Sequence, residues 1–355
     1  MMRSIAELKA ELLCRGVHID KLAHKLDFRK GGTGRAGEIY IEIDGSYVNV
    51  PVTGDFVERS PYSLVHEDDS YILLENGEVI CDVILHPPIY FEKRTKHGVK
   101  KFARVHSASC FGTTIFHRCI YWRRNEACKF CGIELALEYA VLRKDPEEVA
   151  KAAEKAHEMG RAGHVTLTTG TQASRPKEIE LMTETIRAIK ARVDLPIHIV
   201  IEAVENTSLL EELSGADTID INIETFDPQV FRTVCPGKAA FDFEMYVENW
   251  KKATEIFGRN QVSSWIVVGL GEDWNVTLKG MEKMVSLGVI PYLVPLRPLP
   301  NTPMADAQPP EPGYLLRLCE IASNLMRKYK VDPNENLGGC VICSASSPLI
   351  DVYNQ

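Results

Sequence analysis

The sequence predicts an α/β fold: a parallel sheet or partial barrel wrapped by helices, with a small β-rich addition in front. Two observations carry this. Six short, apolar, β-prone runs recur between residues 113 and 296, with helical patterns between them. Strands covered by helices in repeated βα units read this way. Polar or glycine-rich residues follow every one of the six runs, and ligands collect at that end of the strands in such folds.

Composition sets the outer limits. Over 355 residues, 45 % are apolar and 25 % charged, with a formal net charge of −8. This excludes long disorder and low-complexity folds and argues against nucleic acid as a partner. No apolar stretch reaches the roughly 18–20 residues that span a bilayer. The opening MMRSIAELKAELL carries Glu7, Lys9 and Glu11 within its apolar pattern, as an amphipathic helix does and a signal peptide does not. The expected location is cytoplasmic, with no membrane partner. Ten cysteines in a reducing compartment read as ligands or thiols rather than disulfides.

Residues 1–105 form the expected N-terminal α+β addition. After the first helix come EIYIEI (38–43), SYVNVPV (46–52), SYILLE (70–75) and EVICDVILH (78–86), with turn signals at Asp44-Gly45, Asp68-Asp69 and Asn76-Gly77. Asn-Gly between two such runs is a hairpin signal.

Residues 106–310 form the expected core. Its strands are TTIFHR (113–118), HVTLTTG (164–170), PIHIVIE (196–202), TIDINIE (218–224), QVSSWIVVG (261–269) and IPYLVPL (290–296). One helix opens at Asp145-Pro146-Glu147-Glu148, a cap, an N1 proline and acids at the positive helix end, with Val149, Ala152, Ala153, Ala156 and Met159 on one face. A second runs from Phe243 to Phe257 and a third over Val276–Leu287. Residues 311–355 hold a last helix, roughly 313–329, and a tail with Gly338-Gly339-Cys340 and Cys343.

The first strand leads into Cys119, Cys128 and Cys131, with Phe130 between the last two. Such a set holds zinc or an iron–sulfur cluster. Structural zinc needs a fourth protein ligand, from Cys110 or His117. Three cysteines alone suit a 4Fe–4S cluster with one open iron, shielded by Phe130.

At these residues the chain resembles the radical S-adenosylmethionine (radical SAM) superfamily, over about 112–304. The resemblance implies a partial (βα)6 TIM-like barrel whose first loop carries a SAM-binding 4Fe–4S cluster on Cys119, Cys128 and Cys131. The gap between the first two is wider than the family's usual one, which keeps Cys110 as a reserve ligand. By the same resemblance Thr168, Thr169 and Gly170 stand at the SAM amino group, Glu224 at its ribose or methionyl part, and Gly269 and Gly271 near adenine. Glu202 ends the third strand at the same level, and Arg232 and Lys238 would meet a carboxylate. The implied chemistry is reductive cleavage of SAM to a 5′-deoxyadenosyl radical that takes hydrogen from an unactivated C–H bond. No catalytic acid or base is assigned.

Asn301-Thr-Pro-Met304 and the overall plan resemble the biotin synthase and lipoyl synthase branch. The sequence is also similar to the radical SAM group of nitrilase-associated gene clusters. The first resemblance implies sulfur insertion, octanoyl to lipoyl; the second an oxidase, mutase or lyase of small-molecule metabolism. Cys340 and Cys343 read as structural zinc ligands, a second cluster or a redox pair. By resemblance to lipoyl synthases, Cys110, Cys340, Cys343 and Ser346 or Ser347 form a second 4Fe–4S cluster that donates sulfur. The partners so implied are a small-molecule or carrier-protein-bound acyl substrate, an electron donor, and a second radical SAM protein sharing the two insertions. A zinc-bound structural module is the non-enzymatic alternative. Cys14, Cys81, Cys235 and Cys319 are expected as small buried apolar side chains.

Overall fold

A computed structural model describes residues 3–19, 37–67, 70–96 and 98–355; the turn expected at Asp68-Asp69 lies outside them. Helix α1 (Ile5–Arg15) opens with a capping box, in which Ser4 accepts from the Glu7 amide and the Glu7 carboxylate accepts from the Ser4 amide. It packs on an antiparallel sheet of β1 (Glu38–Ile43), β2 (Ser46–Pro51), β3 (Tyr62–Glu67), β4 (Ser70–Glu75) and β5 (Glu78–Leu85), in the order β2-β1-β5-β4-β3. Leu8, Leu12 and Leu13 of the helix meet Ile39, Ile41, Val48, Val50 and Leu73 in one apolar core. Asn76 and Gly77 both take positive φ, 51° and 85°, the geometry of a type I′ hairpin turn.

The second sheet has eight strands in chain order: β6 (Ile89–Thr95), β7 (Gly98–His106), β8 (Cys110–Phe116), β9 (His164–Thr169), β10 (Ile197–Ile201), β11 (Thr218–Ile221), β12 (Val262–Val268) and β13 (Ile290–Pro295). The six expected strands are β8 to β13, and neighbours among them pair in parallel. A hairpin of β6 and β7 pairs antiparallel on the β8 edge. The change of sheet therefore falls between Leu85 and Ile89, ahead of the expected 105/106 division, because β7 is hydrogen-bonded to β8.

The remaining helices are α2 (Ile120–Arg123), α3 (Pro146–Glu158), α4 (Arg175–Lys190), α5 (Pro228–Val234), α6 (Phe243–Phe257), α7 (Trp274–Ser286), α8 (Pro312–Tyr329), α9 (Gly339–Cys343) and α10 (Leu349–Tyr353). Right-handed crossovers between sequential parallel strands put their helices on one face of the sheet. Side-chain alternation sorts the two faces: Val165 and Leu167 are fully buried in the core, while Thr166 and Thr168 point into a cavity. Each buried aliphatic chain contributes about 1.5–3 kcal/mol. Asp145 caps α3 by accepting from the Glu148 amide. Met159, expected on the buried face, stands past the helix end and is 49 % exposed. Trp250 of α6 is fully buried, and its indole N–H donates to the Ile221 carbonyl at 3.1 Å.

The tail returns to the N-terminal addition. α1 packs along α8 and α10, and the fully buried Lys9 reaches Asp351 at 2.7 Å and Ser46 at 3.1 Å. Among the described residues no helix is long and apolar enough to cross a membrane.

Candidate active site

One cavity of about 360 Å³ extends along the inner face of the larger sheet. At the strand ends it is lined by Cys119, Cys128, Cys131, Thr169, Gly170, Glu202 and Glu224. At the strand starts it meets Cys340 and Ser346, because Gly338 and Gly339 lie against His198 and Thr218, near the starts of β10 and β11. Tyr40 and Asn49 of the antiparallel sheet close one side.

The loop with three cysteines leaves β8 and is pinned on both flanks. The Cys119 amide donates to Glu134 at 3.1 Å, the Cys131 amide to the Cys128 carbonyl at 3.0 Å, and the Lys129 amide to the Val234 carbonyl at 2.9 Å. Gly170 is required beneath it: a Cβ there would stand 2.4 Å from the Arg118 carbonyl oxygen. Burial pushes the Cys131 thiol up to about 12 and raises that of Cys119, so thiolate at these positions needs a metal to stabilise it. Among the described residues no three His, Cys, Asp or Glu side chains are close enough to grip a single ion. A cubane cluster holds its thiolates further apart than a single ion does. Three cysteines on one cavity wall are the donor set of such a cluster with one iron left open. Cys235 is fully buried, as expected of it, but it also hydrogen-bonds Cys128; that bond and burial hold its thiol well above the usual range.

Two carboxylates face the same end. Glu224, at φ 68°, forms a buried pair with Lys238 at 2.7 Å, and Lys238 also donates to the Asn222 carbonyl at 3.1 Å. Burial is the largest influence on Lys238 and opposes its charge, but Glu224, Tyr246, Cys128 and Glu202 together outweigh it and hold the ammonium above its ordinary range. Glu202 accepts from the Tyr121 hydroxyl at 3.0 Å and the Thr171 hydroxyl at 2.8 Å, which ties it to the cysteine loop. Thr168 hydrogen-bonds Thr114 at 2.8 Å across the strands.

Gly269 and Gly271 do not line the cavity. The Glu272 carboxylate takes the amides of Gly269 and Leu270 at 2.9 and 2.7 Å, and Gly269 faces Pro310. The motif is a turn that satisfies itself. Arg232 lies outside the cavity too, in a smaller hollow beside Phe231 and Phe241.

Cys110 is the first residue of β8 and Cys119 follows its end. That strand separates them by roughly 20 Å at about 3.3 Å per residue, so Cys110 cannot stand in for Cys119. It lies instead at the foot of the sheet, 3.3 Å from the Thr166 hydroxyl. Burial raises its thiol to about 12, and nearby Cys343 adds to the shift. Cys340 and Ser346 reach the cavity; Ser347 is turned toward Cys319.

Several lining residues had no signal in the sequence: Tyr40, Asn49, Lys101, Arg104 and Lys144; Arg297, which follows the sixth strand, lines the cavity as well. Arg104 pairs with Glu38 at 3.1 Å, and Arg297 donates to the Asn49 carbonyl at 2.7 Å. The partners lie in the other sheet, so only the tertiary fold brings these groups together.

Residues 125–280 match the family model of the radical SAM superfamily, taking in Cys128 and Cys131 and starting after Cys119. Bacteriochlorophyllide c C-7(1)-hydroxylase of Chlorobaculum limnaeum is 26 % identical over 227 residues, 58 % of this chain and 56 % of the relative. Biotin synthase of Halorhodospira halophila (strain DSM 244 / SL1) is 24 % identical over 205 residues, 54 % of this chain and 59 % of the relative. The chain thus spans a little over half the length of these curated relatives. Among solved structures, the FeFe-hydrogenase maturase HydG from Carboxydothermus hydrogenoformans gives a TM-score of 0.49 at 20 % identity, covering 62 % of this chain and 52 % of that one. Coproporphyrinogen III oxidase (HemN) from Escherichia coli gives 0.41 at 16 %, with 62 % and 52 % covered. Residues 125–280 thus match a radical SAM domain, and that family implies a 4Fe–4S cluster and SAM.

Proposed function

We propose that this enzyme inserts sulfur at an unactivated carbon of an acyl-chain substrate, an octanoyl group being the first to test. The observation that carries the reading is the single cavity with one cysteine group at the strand ends and another at the strand starts. Cys119, Cys128 and Cys131 would hold the SAM-binding cluster, and Cys110, Cys340, Cys343 and Ser346 a second one within a partial (βα)6 barrel. When bound, the first cluster and SAM supply a 5′-deoxyadenosyl radical for hydrogen abstraction, and the second supplies sulfide sulfur.

The chain's own residues set the conditions. Lys238 holds the Glu224 carboxylate in place, an acceptor for the hydroxyl or ammonium groups of SAM. Tyr121 and Thr171 aim Glu202 in the same way. Thr168, Thr169 and the bare backbone of Gly170 leave room for SAM against the loop. Phe130, Tyr121 and Trp122 wall the cluster end and keep water from a reactive radical. A serine oxygen such as that of Ser346 binds iron less tightly than thiolate does, which suits a site that surrenders sulfur. The partners are an electron donor and the acyl substrate, free or carried on a protein, with a second radical SAM protein where two insertions are shared.

The test is anaerobic purification with iron and sulfide counts, then dithionite, SAM and octanoyl substrates, reading 5′-deoxyadenosine and thiolated product. Two clusters predict about eight irons, falling to about four in Cys340→Ala with SAM cleavage kept. About four irons in the unaltered protein would remove the sulfur donor. The second reading would then stand: C–H oxidation or rearrangement without sulfur, which the similarity to a hydroxylase favours.

A further inference from the structure

The cavity has a third polar feature, away from both cysteine groups. Lys144 lines it just before α3 and is 3 % exposed. Its ammonium donates to the Thr113 hydroxyl at 2.7 Å, and Thr113 donates onward to the Phe102 carbonyl at 2.8 Å. The Phe102 ring lies 5.3 Å from the ammonium. Among the described residues no carboxylate lies within ion-pair distance of it.

Every other cation on the cavity wall is engaged. Lys101 sits 3.6 Å above the Tyr90 ring, Arg104 pairs with Glu38, Lys238 with Glu224, and Arg297 lies 3.8 Å from Glu38 while it holds Asn49. Lys144 alone combines deep burial with a neutral partner. Burial drives its ordinary value down to about 7, with no acid to offset it. A buried ammonium without a counter-charge is costly, and docking an anion would restore the balance.

We propose that Lys144, held by Thr113, receives the carboxylate of the substrate, which is therefore a free monocarboxylic acid with an apolar body and not an amide or thioester on a carrier. This rests on the reading of the cavity as the substrate site, and it narrows the acyl substrate to one class. The single charge matches a monoanion; a phosphate dianion would bring a second, unmatched charge into a wall formed by Phe102, Ala136 and Ala140. Thr113 aligns the ammonium, leaving two N–H donors for the two carboxylate oxygens.

The test is titration calorimetry of the anaerobically reconstituted full chain with SAM, using octanoate against octanamide. A charge-assisted contact predicts that octanoate binds about ten- to a hundredfold more tightly. Lys144→Met should erase that preference while octanamide affinity stays, and Lys144→Arg should keep part of it. A merely structural lysine would alter stability and leave the preference intact, and equal binding of the two probes by the unaltered protein would overturn the proposal. If neither probe binds, the acyl-chain reading fails, and the subsite is judged by mass spectrometry of reductive methylation. Shielding of Lys144 by monocarboxylates from acetate to benzoate supports it; methylation unaffected by all of them overturns it. That arm needs no variant.

Discussion

The two cysteine groups along the cavity are assembled in opposite ways. The one at the strand ends belongs to a single loop, Cys119 to Cys131, held by its own turns and by the glycine beneath it. The one at the strand starts joins Cys110 of β8 to a tail that arrives from the far end of the chain and docks between α1, α8 and the sheet. A local site stands or falls with a few neighbouring residues. A site assembled across the chain also depends on every contact that seats the tail, so damage to the two should be separable.

The largest effect comes from removing a loop ligand. On the two-cluster reading, Cys128→Ala or Cys131→Ala should bring SAM cleavage to background while about four irons remain at the foot. Cys343→Ala should do the reverse, losing the foot's iron and keeping cleavage. Loss of SAM cleavage in the tail variant would show that the two ends form one unit and would break the comparison.

A smaller effect separates the chemistry of the loop end from its stability. Glu224→Gln leaves Lys238 buried without its counter-charge, with only the Asn222 carbonyl as partner. Breaking a buried pair on one side costs about 3 kcal/mol, readable as a lowered urea midpoint with unchanged slope. Glu224→Gln combined with Lys238→Met should recover most of that stability, because no unpaired charge is left. If Glu224 is the acceptor proposed for SAM, SAM affinity should stay low in the double variant. Full recovery of affinity would remove Glu224 from the SAM site.

The same contrast explains what could be read in the sequence. The six parallel strands and the cysteine loop were legible because each is written in a contiguous run: β-branched residues, a turn, a ligand spacing. The β6–β7 hairpin was not, since IYFEKRT runs three apolar residues into three charged ones with no two-residue period and nothing local says which sheet it joins. YSLVHE of β3 was passed over for a similar reason; only Tyr62 and Leu64 are buried in it. The glycines after β12 looked like a ligand loop, but Glu272 beside them takes the amides of Gly269 and Leu270. Lys144 and Arg104 were invisible, and Arg297 was legible only as the polar residue after the sixth strand, because their environments come from other elements. Cys235 was correctly expected to be buried, yet its contact with Cys128 depends on how α5 returns to the loop.

Two glycines provide the finest test of separability. Gly170 has no space for a Cβ, with the Arg118 backbone at 2.4 Å. Gly339 sits at φ 73° with the His198 ring 2.4 Å from where its Cβ would be. Alanine at either position should cost about 1–3 kcal/mol through overpacking, with added backbone strain at Gly339. The consequences should then diverge. Gly170→Ala pushes on the cysteine loop and should weaken SAM cleavage while sparing the foot's iron. Gly339→Ala lifts α9 from the starts of β9 and β10 and should release the foot's iron while sparing SAM cleavage. Iron counts and 5′-deoxyadenosine yields on the two variants decide the matter. Parallel losses in both would mean that strain at one end of the sheet reaches the other through the strands, and that the cavity responds as one body.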